Sequence, residues 1–166
     1  GKILLGGEAW GAHPPFPPSL PTSAIEAGAD LVVQSAHKTL SVLSQASVLH
    51  FNSKLVNLNR VRRTISLLQT TSPNYLIMAS FDLARKQMVT EGEKILAKLI
   101  QNAERARMEI NHLRNFSSFT RAEMQGKGFD LDVTKITVNV TRTGYSGYHI
   151  SDLLAREHNI QLDAAD

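Results

Sequence analysis

The sequence predicts an α/β fold, the second half of a larger layered domain followed by a small α+β unit. Three observations predict it. Short apolar runs rich in β-branched residues alternate with helical patterns. Residues 73–113 form one long helical tract. A strand-plus-helix pattern then follows a change of composition at 114–127.

Each element has its own signal. "KILLG" (2–6) reads as a short strand stopped by Gly6 and Gly7. Residues 8–21, "EAWGAHPPFPPSLP", hold too many prolines for a helix or an interior strand and read as a loop. "TSAIEAG" offers Thr22 or Ser23 as N-cap, a short helical turn, and Gly28 as its stop. "ADLVVQS" (29–35) is a continuous apolar run, the pattern of a strand buried on both faces, and "ASVLHF" (46–51) is a third strand. Asn57 or Asn59 caps a helix running to about Gln69, with Val61, Ile65 and Leu68 on one stripe.

The tract 73–113 is expected to break at Gly92 into two helices. Leu96, Leu99, Ile100, Ala103, Ala106 and Ile110 keep an apolar face for packing. "TKITVNV" (134–140) alternates like a strand with one wet face. "TGYSGYHISDLLAREHNI" turns at Gly144 and Gly147 into an amphipathic helix. Two domains are therefore expected, 1–115 and 116–166. Three strands make a poor independent sheet, so the first unit calls for strands from elsewhere.

Composition excludes several classes. The 42% apolar share supports a core. No apolar run reaches the roughly 20 residues of a membrane span. No basic stretch leads into an apolar run and a small-residue cleavage site, so a secreted protein is not expected, and the interior of the cytoplasm or an organelle is. The count of 0 cysteines removes disulfides and Cys-based zinc sites, and no metal is expected. The chain begins on Gly1, which reads as a processed end or a piece of something longer. The net charge of +3 has its densest patch at Arg60, Arg62 and Arg63, without interleaved aromatic residues, which fits a solvated helix face better than a nucleic-acid site.

One stretch carries chemistry. In "VVQSAHKTL" an apolar run ends on Ser35, Ala36, His37 and Lys38. A lysine at a strand exit can serve as a nucleophile toward a carbonyl, and neighbouring hydroxyl and imidazole groups can hydrogen-bond a phosphate. Taken alone, "SAHK" fits a surface lysine at a strand end better.

Its company changes that balance. "EAWGAH", "LPTSAIEAGADLVVQSAHKTLSVLSQASVLHF", "LLQTTSPNYLIMASFDLAR" and "FDLDVTKITVNVTRTGYSGYHISDLLAREHNIQ" resemble the second half of the Orn/Lys/Arg decarboxylases, most of all those acting on arginine or lysine. These are fold-type-I enzymes that use pyridoxal phosphate (PLP). The resemblance is strong over 4–102 and 129–162. It implies that 1–115 is the C-terminal half of a PLP-binding large domain and 116–166 part of a small C-terminal domain. Lys38 would link covalently to PLP, with Ser35 and His37 near its phosphate. Ala9 would pack under the pyridine ring, Trp10 would lie at its edge, and His13 falls in the same loop. Thr71 and Ser72 match a block that reaches the phosphate from a neighbouring subunit, implying a homo-oligomer, or a partner chain that supplies the missing half. The substrate would be arginine, lysine or ornithine.

Two positions depart from the family pattern. The aspartate expected to pair with the ring nitrogen, in "DEAWGAH" or "DEAHGAH", is Gly7 here, and the threonine of "QSTHK" is Ala36. Glu8 cannot substitute, because on a strand its side chain points to the opposite face. Two readings follow: a decarboxylase present as a fragment or as one chain of a larger enzyme, and a degenerate decarboxylase-fold subunit with a structural role.

Overall fold

A computed structural model describes residues 1–13 and 20–166, and its contacts divide the chain into two compact units, Gly1–Leu96 and Ala97–Asp166. The proline-rich core of the loop expected over 8–21 lies outside the described residues.

The first unit is built on three strands, β1 (Leu5–Gly7), β2 (Leu31–Gln34) and β3 (Val48–Phe51), in that spatial order. β1 runs parallel to β2, with Gly6 opposite Val32 and Gly7 opposite Val33. β3 is antiparallel to β2, with His50 opposite Val32 and Val48 opposite Gln34. Alternation along the strands sorts the sheet into two faces. Gly6, Val32, Gln34, Val48 and His50 share one; Leu5, Gly7, Leu31, Val33 and Leu49 share the other. Gly6 is required on the first face, because an added Cβ would lie 2.9 Å from Ala24 Cβ and 3.2 Å from Val32 Cγ2.

Two expectations for this unit are corrected and one is met. The first strand starts later than residue 2, because Asp30 takes over the pairing at Leu4: Leu4 N–H donates to Asp30 Oδ2 at 2.8 Å, and Leu4 O accepts from Asp30 N–H. The segment 22–28 forms the expected short helical turn, with Ala27 N–H donating to Ser23 O at 2.9 Å. Ser23 and Glu26 close it reciprocally, and Gly28, at φ +88°, ends it. β2 is not buried on both faces: Val32 is 1% exposed but Val33 is 50% exposed. The described residues of this chain pack on one side of the sheet only at that position.

Helix α1 (Ala36–Thr39) follows β2, and α2 (Leu58–Leu68) follows β3. Asn57 caps α2, its Oδ1 accepting from Asn59 N–H at 2.9 Å and Arg60 N–H at 3.2 Å. Arg60, Arg62 and Arg63 are exposed on α2, and Leu68 is exposed beside Val61 and Ile65. Helix α3 (Tyr75–His112) is continuous for 38 residues, so the expected break at Gly92 does not occur. A helical glycine costs only about 1 kcal/mol against alanine. Gly92 lies in the buried stripe Ala84–Met88–Gly92–Leu96, whose packing outweighs that cost.

The second unit hangs on two side chains of α3. Arg107 is buried and its Nη2 donates to the carbonyls of Val133 (3.1 Å) and Lys135 (2.9 Å). Glu104 Oε2 lies 3.2 Å from Nη1 without hydrogen-bond alignment, so it acts on the guanidinium through charge alone. Asn111 brackets Ser118, accepting from its N–H and donating to its carbonyl. The strand expected over 134–140 shrinks to β5 (Val138–Asn139), paired antiparallel with β4 (Ser117–Ser118). Lys135 is held back in a turn, where its carbonyl faces Arg107. Helix α4 (Arg121–Gln125) carries a capping box between Thr120 and Glu123. Helix α5 (Gly147–His158) follows the left-handed Gly144, begins at the expected Gly147 and is capped by Ser146.

Candidate active site

The C-terminal ends of β1 and β2 lie side by side, because the two strands are parallel and paired in register. Glu8 N–H donates to Val33 O at 2.9 Å and extends that pairing past Gly7. Beyond it the chain turns over Glu8–Gly11, closed by Gly11 N–H to Glu8 O at 3.0 Å, so Ala9 and Trp10 sit at the turn's tip. On the neighbouring strand Gln34 leads through Ser35 into α1, which carries His37 and Lys38. In parallel α/β sheets such strand ends are where ligands bind.

The two segments meet. Lys38 Nζ lies 5.0 Å from the centroid of the Trp10 ring, within cation–π range, and both side chains are exposed. His37 points elsewhere. Its Nδ1 is 2.8 Å from Ala46 O, and its own N–H reaches the same carbonyl at 3.3 Å. A carbonyl only accepts, so Nδ1 carries the proton and Nε2 is left for any further partner. Gln45, at φ +77°, makes the turn that presents Ala46 to His37.

Two hydroxyls flank this pair. Ser35 occupies the N-cap position of α1 without a side-chain capping bond. Thr39 Oγ1 is buried and has no hydrogen-bond partner among the described residues. Buried hydroxyls are normally satisfied, so an acceptor is owed there.

Beneath the turn lies a network that sequence reasoning missed. Gln34 is buried, and its Nε2 donates to Glu8 Oε2 and to Gly11 O, each at 2.9 Å. Gln34 Oε1 accepts from His50 Nε2 at 2.8 Å, which assigns that imidazole proton. Glu8 Oε1 accepts from Ala24 N–H at 2.6 Å. Glu8 thus belongs to the Gly6 face, opposite to Gly7. The one available signal was a glutamine ending the apolar run "LVVQ", a polar group where the pattern calls for burial.

The remaining sequence-predicted residues are less gathered. Ala9 and His13 are half-buried in the loop after β1. Thr71 and Ser72 are exposed between α2 and α3. The hydrogen bond there is local, from Ser72 N–H to Thr70 Oγ1 at 3.2 Å, and ties them to neither Ser35 nor Lys38.

The side chains present can be tested against PLP. An exposed amine on an indole face suits a group with a carbonyl, and Ser35, Thr39 and His37 Nε2, close in sequence to Lys38, offer groups of the kind that bind a phosphate. Among the described residues an added Cβ on Gly7 would meet nothing within 4 Å, so they leave the place of the expected carboxylate open. The residues fit the carbonyl and phosphate ends of PLP, and this chain brings no acid from position 7 to its ring nitrogen.

Comparison with known proteins covers nearly the whole chain. The family model described as the major domain of Orn/Lys/Arg decarboxylase matches residues 2–163. An arginine decarboxylase of Bacillus anthracis is 39% identical over 98% of the chain and 33% of the relative. An uncharacterized protein of Bacillus subtilis, YaaO, is 40% identical over 100% of the chain and 34% of the relative. The chain thus spans about a third of the length of the curated relatives it matches. The crystal structure of a lysine decarboxylase, LdcF, from Francisella novicida superposes with a TM-score of 0.75 over 98% of this chain and 28% of that one, at 22% identity. That likeness establishes a mixed α/β decarboxylase fold.

Proposed function

The chain belongs to the Orn/Lys/Arg decarboxylase family, and from that premise we propose that it is part of a PLP-dependent decarboxylase of a basic amino acid: arginine, lysine or ornithine. The observation that carries the reading is Lys38, an exposed amine beside Trp10 where two paired parallel strands end. When bound, PLP supplies the electron sink that lets an α-carboxylate leave as carbon dioxide.

The chain's own residues divide the work. Lys38 is the covalent anchor and, once displaced, an amine able to hold or return a proton. Ser35 and His37, the latter through Nε2, bind phosphate oxygens. Ala9 supports the ring and Trp10 borders it, with His13 in the same loop. Thr71 and Ser72 reach a neighbouring subunit's site, a role their exposure permits, in a homo-oligomer or with a chain supplying the rest of the domain. No helix among the described residues is long and apolar enough to cross a membrane, and a compartment inside the cell or an organelle fits the family chemistry. The division at 115/116, into half of a large domain and part of a small one, rests on the composition change; the family's major-domain model crosses it without a break.

A second reading has one observation behind it. The space that the described residues leave open at Gly7 gives the ring nitrogen no carboxylate from that position, which favours a degenerate subunit with a structural role. A near-visible absorption scan of the assembled protein with added PLP separates the two. A band that appears with PLP and is lost in Lys38→Ala supports the decarboxylase; no band in any assembly supports the structural subunit.

A further inference from the structure

The Glu8–Gly11 turn that carries Trp10 lies outside helix and strand, yet the indole is held over the Lys38 ammonium. Among the hydrogen bonds that hold the Glu8–Gly11 turn, two come from one side chain and reach both of its ends. Gln34 Nε2 donates to Glu8 Oε2 at the start of the Glu8–Gly11 turn and to Gly11 O at its end. The same residue is the last of β2, immediately before the segment that delivers Lys38. Its amide orientation follows from two acceptors, Glu8 Oε2 and Gly11 O, which take the NH2 group and leave Oε1 to accept from His50 Nε2–H. The amide is used in full: two donors spent on the turn, and the oxygen on β3.

We infer that Gln34 is a positioning residue that fixes Trp10 against Lys38, by clamping both ends of the Glu8–Gly11 turn to the strand leading into α1. A buried amide loses much when left unpaired, so the arrangement that keeps both donors on the turn is favoured. Glu8, set aside in the sequence because it faces away from the ring-nitrogen position, serves here as the acceptor at one end of the clamp. The inference rests on the reading of Lys38 and Trp10 as parts of one site.

The test reads Trp10 itself, without cofactor. The assembled, full-length protein is labelled with 5-fluorotryptophan, and the Trp10 fluorine resonance is assigned by its loss in Trp10→Phe. Contact with Lys38 is the displacement of that resonance on Lys38→Met. Gln34→Met keeps length and volume but has no donors. In it the Trp10 resonance is expected to move and to lose its response to Lys38→Met, with the circular dichroism spectrum retained. A glutamine that merely stabilised the sheet would lower the melting temperature and leave the Lys38 response intact, which would overturn the inference. Should Gln34→Met not fold, Glu8→Gln replaces one acceptor while keeping the Ala24 contact possible. A partial loss of the Lys38 response is expected there, and a full response overturns the inference. Failure of PLP to bind would sink the decarboxylase reading and leave this measurement standing.

Discussion

Lys38 Nζ stands 5.0 Å above the ring of Trp10, joining the segment that follows β2 to the segment that follows β1. At an exposed site such a contact contributes about 0.5–1 kcal/mol. If it presents the amine to the cofactor, Trp10→Leu should raise the PLP concentration needed for the near-visible band by about two- to fivefold. Trp10→Phe, which keeps a ring face, should lose less. Unchanged titration curves in both variants would make the contact incidental.

Acid stability should depend on Asp30. Its carboxyl is held below the ordinary value of 3.8, first by the Leu4 N–H and then by the Ser53 hydroxyl. A depressed folded value means that the unfolded chain takes up the proton first. The stabilisation is therefore present above the ordinary carboxylate range and lost as pH falls through the folded value. Glu123, held down by Thr120, and Asp130, held down by Arg121 and the Leu131 N–H, act with the same sign. Denaturant midpoints should fall from about pH 5 to about pH 2, and Asp30→Asn should flatten that fall without abolishing it. A slope identical to that of the parent chain would remove Asp30 from the acid response.

Gly92 should accept a side chain. It sits inside a continuous helix, where alanine gains about 1 kcal/mol over glycine. The new Cβ would lie 2.9 Å from Met88 Cε, the far end of a flexible thioether that can swing aside. Gly92→Ala should be neutral or stabilising by up to about 1 kcal/mol in equilibrium denaturation. Clear destabilisation would mean that Met88 has nowhere to go.

The periodic parts of the fold were legible in the sequence, and the parts set by single side chains were not. β2, β3, α2 and α5 lie where their patterns put them, since each has an apolar rhythm and the two helices have a cap, Asn57 or Ser146. Local rules failed where a distant group decided. Asp30 displaces the start of β1, Arg107 captures the Lys135 carbonyl that "TKITVNV" would have given to a longer strand, and the stripe through Ala84, Met88 and Leu96 carries α3 across its glycine. At the candidate site, the meeting of Trp10 with Lys38 depends on two strands being parallel and in register, which no local spacing encodes. Gln34 was invisible for the same reason, because its acceptors lie 26 and 23 residues away.

Gly6 and Gly7 are neighbours that should respond in opposite ways to an added side chain. At Gly6 a Cβ would press on Ala24 Cβ at 2.9 Å and Val32 Cγ2 at 3.2 Å, both close to the backbone and unable to swing away. Gly6→Ala should therefore cost about 1–3 kcal/mol in denaturant unfolding. At Gly7 the new Cβ meets nothing within 4 Å among the described residues, and its φ lies outside the left-handed region that excludes other residues. Gly7→Asp should fold with a stability change of only about 0.5 kcal/mol. Glycine is thus not demanded there by the backbone, which leaves the pocket as the reason to test. A carboxylate at position 7 would stand at the end of β1, beside the strand that leads to Lys38, where the family pattern pairs an aspartate with the ring nitrogen. In a competent assembly supplied with PLP and arginine or lysine, carbon dioxide release should rise at least about tenfold, equivalent to ~1.4 kcal/mol of barrier. An unchanged rate in a folded Gly7→Asp protein would put the structural-subunit reading ahead, because the one missing acid would have been restored to no effect.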